Sequence, residues 1–360
     1  MGPAKVGRSR AARYTSSMRL GTVRAGGTGD AQGSRRDGTL VLIASDGARL
    51  ARVAAISPTF EGWPTLQSAL DDWDNAAPAL REAARKLDDG TIAGESIAAF
   101  EFAAPLPRAY EWLDGSAFLS HVRLARRSRN AEPPADLLEN PLMYQGGSGH
   151  LLGPRDPLII IDPTYGLDFE AELAVITGDV PLGIDAPTAA ASVRLVCLVN
   201  DVTLRNLVAP ELAKGFGFVH AKPPTAFAPF AVTPDELGAA YRDGRVHLRV
   251  HAARNGVEVG HPHAAEMHFS FFELVAHAAR TRPLTAGTII GSGTISNEDP
   301  ATGVACLVEA RMRETLATGK PQTAYLQPGE KVSIWVDDDG RANPRPDGVF
   351  GRIEQEVKLR

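Results

Sequence analysis

Asp168, Glu170 and Glu172 alternate with apolar residues in Gly166-Leu-Asp-Phe-Glu-Ala-Glu-Leu-Ala-Val-Ile-Thr-Gly178. Successive side chains of a strand point to opposite faces, so the three carboxylates share one face, with neighbours about 6.5–7 Å apart. The same face continues as Ala174 and Ile176, which places like charges at the edge of a core where they repel one another and lose hydration. An isolated Glu-x-Glu on a strand is more often a solvated face. A second acid, Asp201, ends the apolar run Leu195-Val-Cys-Leu-Val-Asn-Asp201; by itself it reads as a turn or helix-cap aspartate. Acid running into core invites a cation, and an all-oxygen donor set suits magnesium, manganese or calcium rather than zinc or copper.

Other chemistry is thinly represented. His121 precedes the basic run Arg123 to Arg129 and on its own reads as a surface histidine. His247 and His251 share a strand face with Arg249 and read as solvated surface. His261, His263 and His268 fall in a Gly/Pro-broken stretch and read as loop residues. No phosphate-binding glycine loop, Gly-x-Ser-x-Gly elbow or His-Glu-x-x-His helix occurs, which removes the commonest nucleotide, serine-hydrolase and zinc-hydrolase signatures. Cys197 and Cys306 are the only cysteines, too few for a disulfide framework or a paired-cysteine zinc site, and a cytoplasmic location is expected. The net charge of -5 lacks the basic excess of a nucleic-acid binder, and no apolar stretch approaches the roughly 20 residues that cross a bilayer.

The elements that must position these groups form two units. The chain has 360 residues, and a prior of about 100–200 residues per domain suggests two. Residues 1–17 carry Lys5, Arg8, Arg10 and Arg13 without an acid or an apolar pattern and read as a disordered tail, with Met18 as a natural start; a transit peptide shares that composition. From 18 to 104 the pattern predicts a small α+β unit, with strands at Thr39 to Ser45 and Ala51 to Ile56 and a helix from Thr65 to Lys86. Ala103-Ala-Pro-Leu-Pro107 marks a boundary, because each proline forces its predecessor out of helical geometry. Beyond it, from 105 to 360, strand-like runs recur at Leu158 to Ile161, Phe169 to Thr177, Val193 to Val199, Val246 to Val250, Thr288 to Ile290 and Val332 to Val336. Helical pattern is confined to a few pieces, including Pro234 to Tyr241 and Phe271 to Arg280. With no βαβ alternation, the expected fold is α+β, a β-rich mixed sheet that curls on itself.

The acidic strand, Val199-Asn-Asp-Val-Thr-Leu-Arg205, Gly215-Phe-Gly-Phe-Val-His-Ala-Lys222-Pro and Gly291-Ser-Gly-Thr-Ile-Ser296 stand in the order found in fumarylacetoacetate hydrolase family enzymes, which the chain resembles over about 105 to 360. The stretch before them is similar to the N-terminal cover domain of bacterial members. The resemblance implies that Glu170, Glu172, Asp201 and Asp114 hold a magnesium ion, with manganese or calcium as substitutes. It implies that His121, in Leu113-Asp-Gly-Ser-Ala-Phe-Leu-Ser-His121, is the base and Glu309, in Ala305-Cys-Leu-Val-Glu309, orients it. Lys222 and Arg205 would steady developing negative charge, while Thr294 and Tyr144 would contact substrate. The implied activity is hydrolysis of a carbon–carbon bond in a fumarylacetoacetate-like dicarbonyl acid, with the enolate held on the metal, as in aromatic amino-acid breakdown, by a homodimer. An acylpyruvate hydrolase, an oxaloacetate decarboxylase or a hydratase on the same scaffold is the alternative, and a non-enzymatic β-rich binding module a more distant one. Ser116, Val208 and Leu212 stand where the animal enzymes of the family place tyrosine, glutamine and tyrosine, so the groups that would grip the distal part of the substrate differ.

Overall fold

Ala171–Thr177 and Val193–Asn200 are nearly all apolar, and runs of that kind are strands with no face to give to water. They lie side by side, antiparallel, at the centre of a large sheet, with Val196 opposite Val175, Cys197 opposite Ala174 and Val199 opposite Glu172. Leu173, Val175, Val196 and Leu198 enter one apolar cluster; Ala174, Ile176, Leu195, Cys197 and Val199 enter a second on the other side. The computed structural model describes residues 17–24, 34–128, 132, 134–337, 345 and 347–360. Residues 1–16, most of the expected tail, lie outside that set.

The large sheet has 11 strands. From one edge its order is Glu95–Ser96, Arg49–Arg52, Thr39–Ile43, Arg19–Val23, Phe230–Val232, Val193–Asn200, Ala171–Thr177, Ile289–Gly291, Trp112–Gly115 and Met143–Gly146, with Ala226–Phe227 pairing beside Val193–Asn200. A second sheet of five strands runs Val257–Gly260, Val250–Arg254, Lys331–Val336, Ile353–Leu359 and Leu158–Ile160. Each sheet contains one parallel pair among antiparallel ones, Ile289–Gly291 with Trp112–Gly115 and Ile353–Leu359 with Leu158–Ile160. The α+β, mixed-sheet architecture expected from the sequence is the one observed.

The N-terminal strands extend the same large sheet through Arg19 opposite Val232 and Leu20 opposite Ala231. Two helices cover them, Leu66–Asp71 and Trp73–Asp88, burying Leu66, Leu70, Ala76, Leu80, Ala83 and Leu87 at the three- and four-residue spacing of one helical face. The sequence predicts a single helix here, and the structure breaks it at Asp72 (φ -124°, ψ 36°). The Asp72 carboxylate accepts from the Trp63 indole N–H at 3.0 Å and from Asn75 at 2.7 Å, competing with helix continuation.

Other boundaries differ too. The strand expected over Ala51 to Ile56 is Arg49–Arg52 followed by a 3-10 turn, Val53–Ala55. The run Val246 to Val250 is divided between Arg245–Val246 and Val250–Arg254. Pro234–Ala240 is a 3-10 segment kinked at Gly238. Three helices that the pattern does not announce are Leu119–Arg127, Arg205–Leu212 and Leu307–Thr318, and each carries a residue of the site. Among the described residues no helix is long and apolar enough to cross a membrane.

Candidate active site

Glu172 lies on the central strand opposite Val199, facing the same side as Ala174, and is fully buried. Neither of its oxygens has a hydrogen-bond partner. Asp114, on the strand Trp112–Gly115, and Asp201, just past the end of Val193–Asn200, bring carboxylate oxygens to within 4.8 Å of it and of each other. Burial raises the proton affinity of all three; Asp201 adds to the effect on Asp114, and Asp114 and Asp201 add to the effect on Glu172. Oxygens of this kind accept only, so such a group holds together with a proton or a cation between its members.

The donors around the carboxylates are unequally shared. Glu170 accepts from Arg205 (2.7 Å) and Thr294 (2.8 Å) at Oε1, and from Lys222 (2.6 Å) and Thr203 (3.0 Å) at Oε2. With about four lone-pair positions on a carboxylate, Glu170 is saturated. Burial pushes it up, but Arg205, Lys222 and His121 outweigh burial and hold it well below the usual carboxylate range. Asp201 accepts from Thr225 (2.9 Å) at Oδ1 and from Tyr144 (2.7 Å) and Lys222 (2.5 Å) at Oδ2. Asp114 accepts from the Gly293 N–H at 3.0 Å. The open acceptor positions therefore gather at Glu172 and Asp114, with a remainder on Asp201. Asp114, Asp168, Glu170, Glu172 and Asp201 face Lys222 and Arg205, so five acids against two bases leave an excess of three negative charges when all are ionised. A hard divalent ion fits this donor set and offsets two of them.

The backbone around Asp114 leaves no room for larger residues. A Cβ on Gly291 would lie 2.3 Å from Asp114 Oδ1 and 2.5 Å from the Trp112 ring, and one on Gly293 (φ 77°) would lie 2.3 Å from the Gly115 carbonyl oxygen. Gly291→Ala is expected to displace Asp114 or Trp112 and cost about 1–3 kcal/mol, the usual range for overpacking. Gly147→Ala, with nothing within 4 Å of the added carbon, should be near neutral. Urea unfolding of the two variants checks the contrast.

His121 sits in the first turn of Leu119–Arg127, and its Nδ1 is 2.9 Å from Glu309 Oε1. Glu309 is 1 % exposed and His121 19 % exposed. An ionised carboxylate can only accept, so Nδ1 carries a proton, and in the neutral imidazole Nε2 is left as an acceptor. Glu309 is in the first turn of Leu307–Thr318, and the start of that helix is held by Asp168. Asp168 accepts from the Leu307 N–H (2.8 Å), the Val308 N–H (2.9 Å) and Arg205 Nε (2.8 Å). The member of the acidic row expected to share a face with Glu170 and Glu172 is thus a distant cap for the helix bearing Glu309. Arg205 ties that cap to Glu170.

The structure brings Asp114, Glu172 and Asp201 into one cluster, with Glu170, Lys222, Arg205, Thr294 and Tyr144 bonded around it and His121 paired to Glu309. The Tyr144 hydroxyl donates to Asp201, and its ring lies 5.0 Å under Lys222 Nζ and edge-on to Phe218. Burial, with Asp201 and Asp114 close by, keeps this phenol protonated. Sequence reasoning missed Thr203, which bonds both Glu170 and Lys222, and Thr225 on Asp201. It also missed Asn200, which accepts from the Glu170 N–H at 3.0 Å and donates to Gln355. Asn200 and Thr203 lie within the Val199 to Arg205 motif and could have been found there; Thr225 carries no such signal.

Residues 111–358 match the family described as fumarylacetoacetate (FAA) hydrolase C-terminal, and residues 18–108 match fumarylacetoacetase N-terminal domain 2. The chain belongs to the fumarylacetoacetate hydrolase family. A 2,4-didehydro-3-deoxy-L-rhamnonate hydrolase of a Sphingomonas species is 24% identical over 247 residues, covering 68% of this chain and 78% of the relative. Among solved structures, a probable 2-hydroxyhepta-2,4-diene-1,7-dioate isomerase from Mycobacterium abscessus superimposes with a TM-score of 0.62 at 18% identity, covering 96% of this chain and 99% of that one. Maleylpyruvate hydrolase from Sphingobium sp. SYK-6, in complex with manganese(II) and pyruvate, gives 0.61 at 16% identity, covering 95% and 99%. These likenesses establish the fold, and the family is one of hydrolases and isomerases.

Proposed function

We propose that this family member is a divalent-metal-dependent hydrolase that splits a carbon–carbon bond in a small dicarbonyl acid. The observation that carries the reading is Glu172, a buried carboxylate without a donor, facing Asp114 and Asp201, with His121 of the His121–Glu309 couple close enough to act on Glu170. Asp114, Glu172 and Asp201 would hold the ion, and Glu170 would join them by releasing one of its four donors. Magnesium is the expected ion, with manganese or calcium able to replace it. When bound, the ion supplies Lewis acidity toward the oxygens of a dicarbonyl group.

The remaining steps belong to the chain. Glu309 fixes the tautomer of His121, and Nε2 takes a proton from water, which attacks the carbonyl carbon at the scissile bond. As the tetrahedral intermediate collapses, that carbon becomes a carboxylic acid and the bonding pair leaves with the other fragment as an enolate. His121 returns its proton to the enolate carbon. Lys222, kept cationic by Asp201 and Glu170 in spite of its burial, opposes the charge that develops on oxygen. Arg205, already bonded to Asp168 and Glu170, acts by keeping Glu170 ionised and in place, while Thr294 and Tyr144 line the substrate side. The presence of a water-activating couple supports hydrolysis over decarboxylation, which requires no attacking water.

The division near 104 into a cover unit and a catalytic unit, a homodimer and a reducing compartment suited to the two free, buried cysteines belong to the same proposal. The test is a panel of fumarylacetoacetate, maleylpyruvate, fumarylpyruvate, acetylpyruvate and oxaloacetate, each assayed with and without a chelator. Hydrolysis of at least one acylated acid, lost on chelation and restored by magnesium or manganese, is expected. Turnover of oxaloacetate alone, or hydrolysis indifferent to chelator, would overturn the reading.

A further inference from the structure

The hairpin Val250–Arg254 and Val257–Gly260 turns at Asn255 and Gly256, both with positive φ, and carries a register shift between Ala252 and Ala253. Ala253 faces Glu258, but Ala252 faces Gly260, so one extra residue is taken up on the second strand. Continuing from Ala252 opposite Gly260 to Arg249 opposite His263 sets His261 against His251. Without the bulge Gly260 would stand there and His261 would point to the other face, and re-aiming a side chain is what bulges commonly do.

Three ligand-type side chains converge as a result. His251 Nδ1 lies 2.9 Å from Glu258 Oε2, and His261 Nδ1 lies 2.7 Å from Glu258 Oε1. One ligand atom from each of the three residues falls within 4.8 Å of the other two. Ligands about 2.0–2.1 Å from a tetrahedral zinc ion are roughly 3.3 Å from one another, so small side-chain adjustments close the set. His251 is not the solvated residue its sequence context suggests. Its ring stacks on Trp335 (5.0 Å between centroids, 12° between planes), and its side chain is 14% exposed. Behind it Asp337 Oδ1 lies 2.9 Å from Nε2, off the direction of a hydrogen bond, so that Nε2 has no aligned partner. A carboxylate behind a ligating imidazole is the usual support of a metal-bound histidine.

We propose that His251, Glu258 and His261 form a second metal site, separate from the acidic cluster, for a divalent transition ion of the zinc type, with Asp337 orienting His251. Imidazole nitrogens favour zinc, cobalt or nickel over magnesium, whereas the acidic cluster offers only oxygen. Binding puts the ion on the two ring nitrogens that now face Glu258, so the ion and a proton compete for the same atoms.

The test uses the full chain with the acidic cluster saturated by excess magnesium. Zinc is titrated calorimetrically, and cobalt is added separately to read its visible absorption. One further equivalent of zinc is expected, with a low-coordinate, nitrogen-bound cobalt spectrum. Glu258→Gln and His261→Ala should each abolish it, and Asp337→Asn should weaken it by about 10–100-fold. Both ligand variants alter partly exposed side chains, and their circular dichroism and magnesium-supported turnover should match wild type. Failure of wild type to take up zinc under these conditions, or equal uptake by wild type and both ligand variants, would overturn the proposal and leave a hydrogen-bonded histidine pair.

Discussion

His121→Ala should lower turnover by about 10²–10⁴-fold, the usual contribution of a positioned general base, while manganese affinity stays unchanged. Removing the imidazole also strips Glu309 of its hydrogen bond. A buried carboxylate without its partner costs about 1–3 kcal/mol or more, so the alanine variant should be less stable as well as inactive. His121→Gln separates the two effects, because its amide can still donate to Glu309 but cannot take a proton. The expected outcome is loss of turnover in both variants and loss of stability mainly in the alanine one, read by steady-state assay and urea unfolding. Near-normal turnover in the glutamine variant would remove His121 as the base.

Glu172→Gln should abolish activity and yet stabilise the metal-free protein at neutral pH. The folded pKa of Glu172 is raised above its unfolded value, by burial first and then by Asp114 and Asp201. A group of this kind contributes stability that is fully present below the unfolded pKa of about 4.3 and is lost as pH rises through the folded one. Each tenfold difference in proton affinity between the folded and unfolded chain is worth about 1.4 kcal/mol. The advantage of the neutral glutamine over wild type should therefore be small near pH 4 and widen as pH rises. Added magnesium should close that gap from the wild-type side. A ligand at 100 times its Kd stabilises by about 2.7 kcal/mol, and the variant should forgo this. Thermal melts of both proteins across pH, with and without magnesium, supply the comparison. A variant less stable than wild type at every pH without metal would show that Glu172 is not under repulsion.

The parts of this molecule legible in the sequence are those specified by local pattern. The central strands announce themselves because both faces are buried and their apolar runs are nearly continuous. The acids show because they interrupt such runs. What was not legible depends on contacts far apart in the chain. Leu307–Thr318 has Cys306 at its cap position with no side-chain cap of its own, since the acceptor is Asp168, 139 residues away. Leu119–Arg127 likewise starts at Phe118 without a side-chain cap, and its basic face masks the apolar spacing of Leu119 and Val122. Period two groups Asp168 with Glu170 and Glu172, and Arg205 bonds both Asp168 and Glu170, but the hold of Asp168 on the start of Leu307–Thr318 depends on backbone 139 and 140 residues away. His251 and His261 were hidden by a bulge, which alters facing without altering composition.

The proposed chemistry depends on a hard divalent ion held by carboxylate oxygens alone. Titration with manganese followed by pulsed electron paramagnetic resonance tests it most directly. One tightly held ion per chain is predicted, displaced by magnesium and showing no coupling to a directly bound nitrogen. Absence of a tight manganese site, or a nitrogen coupling from a ligating imidazole on that ion, would contradict it.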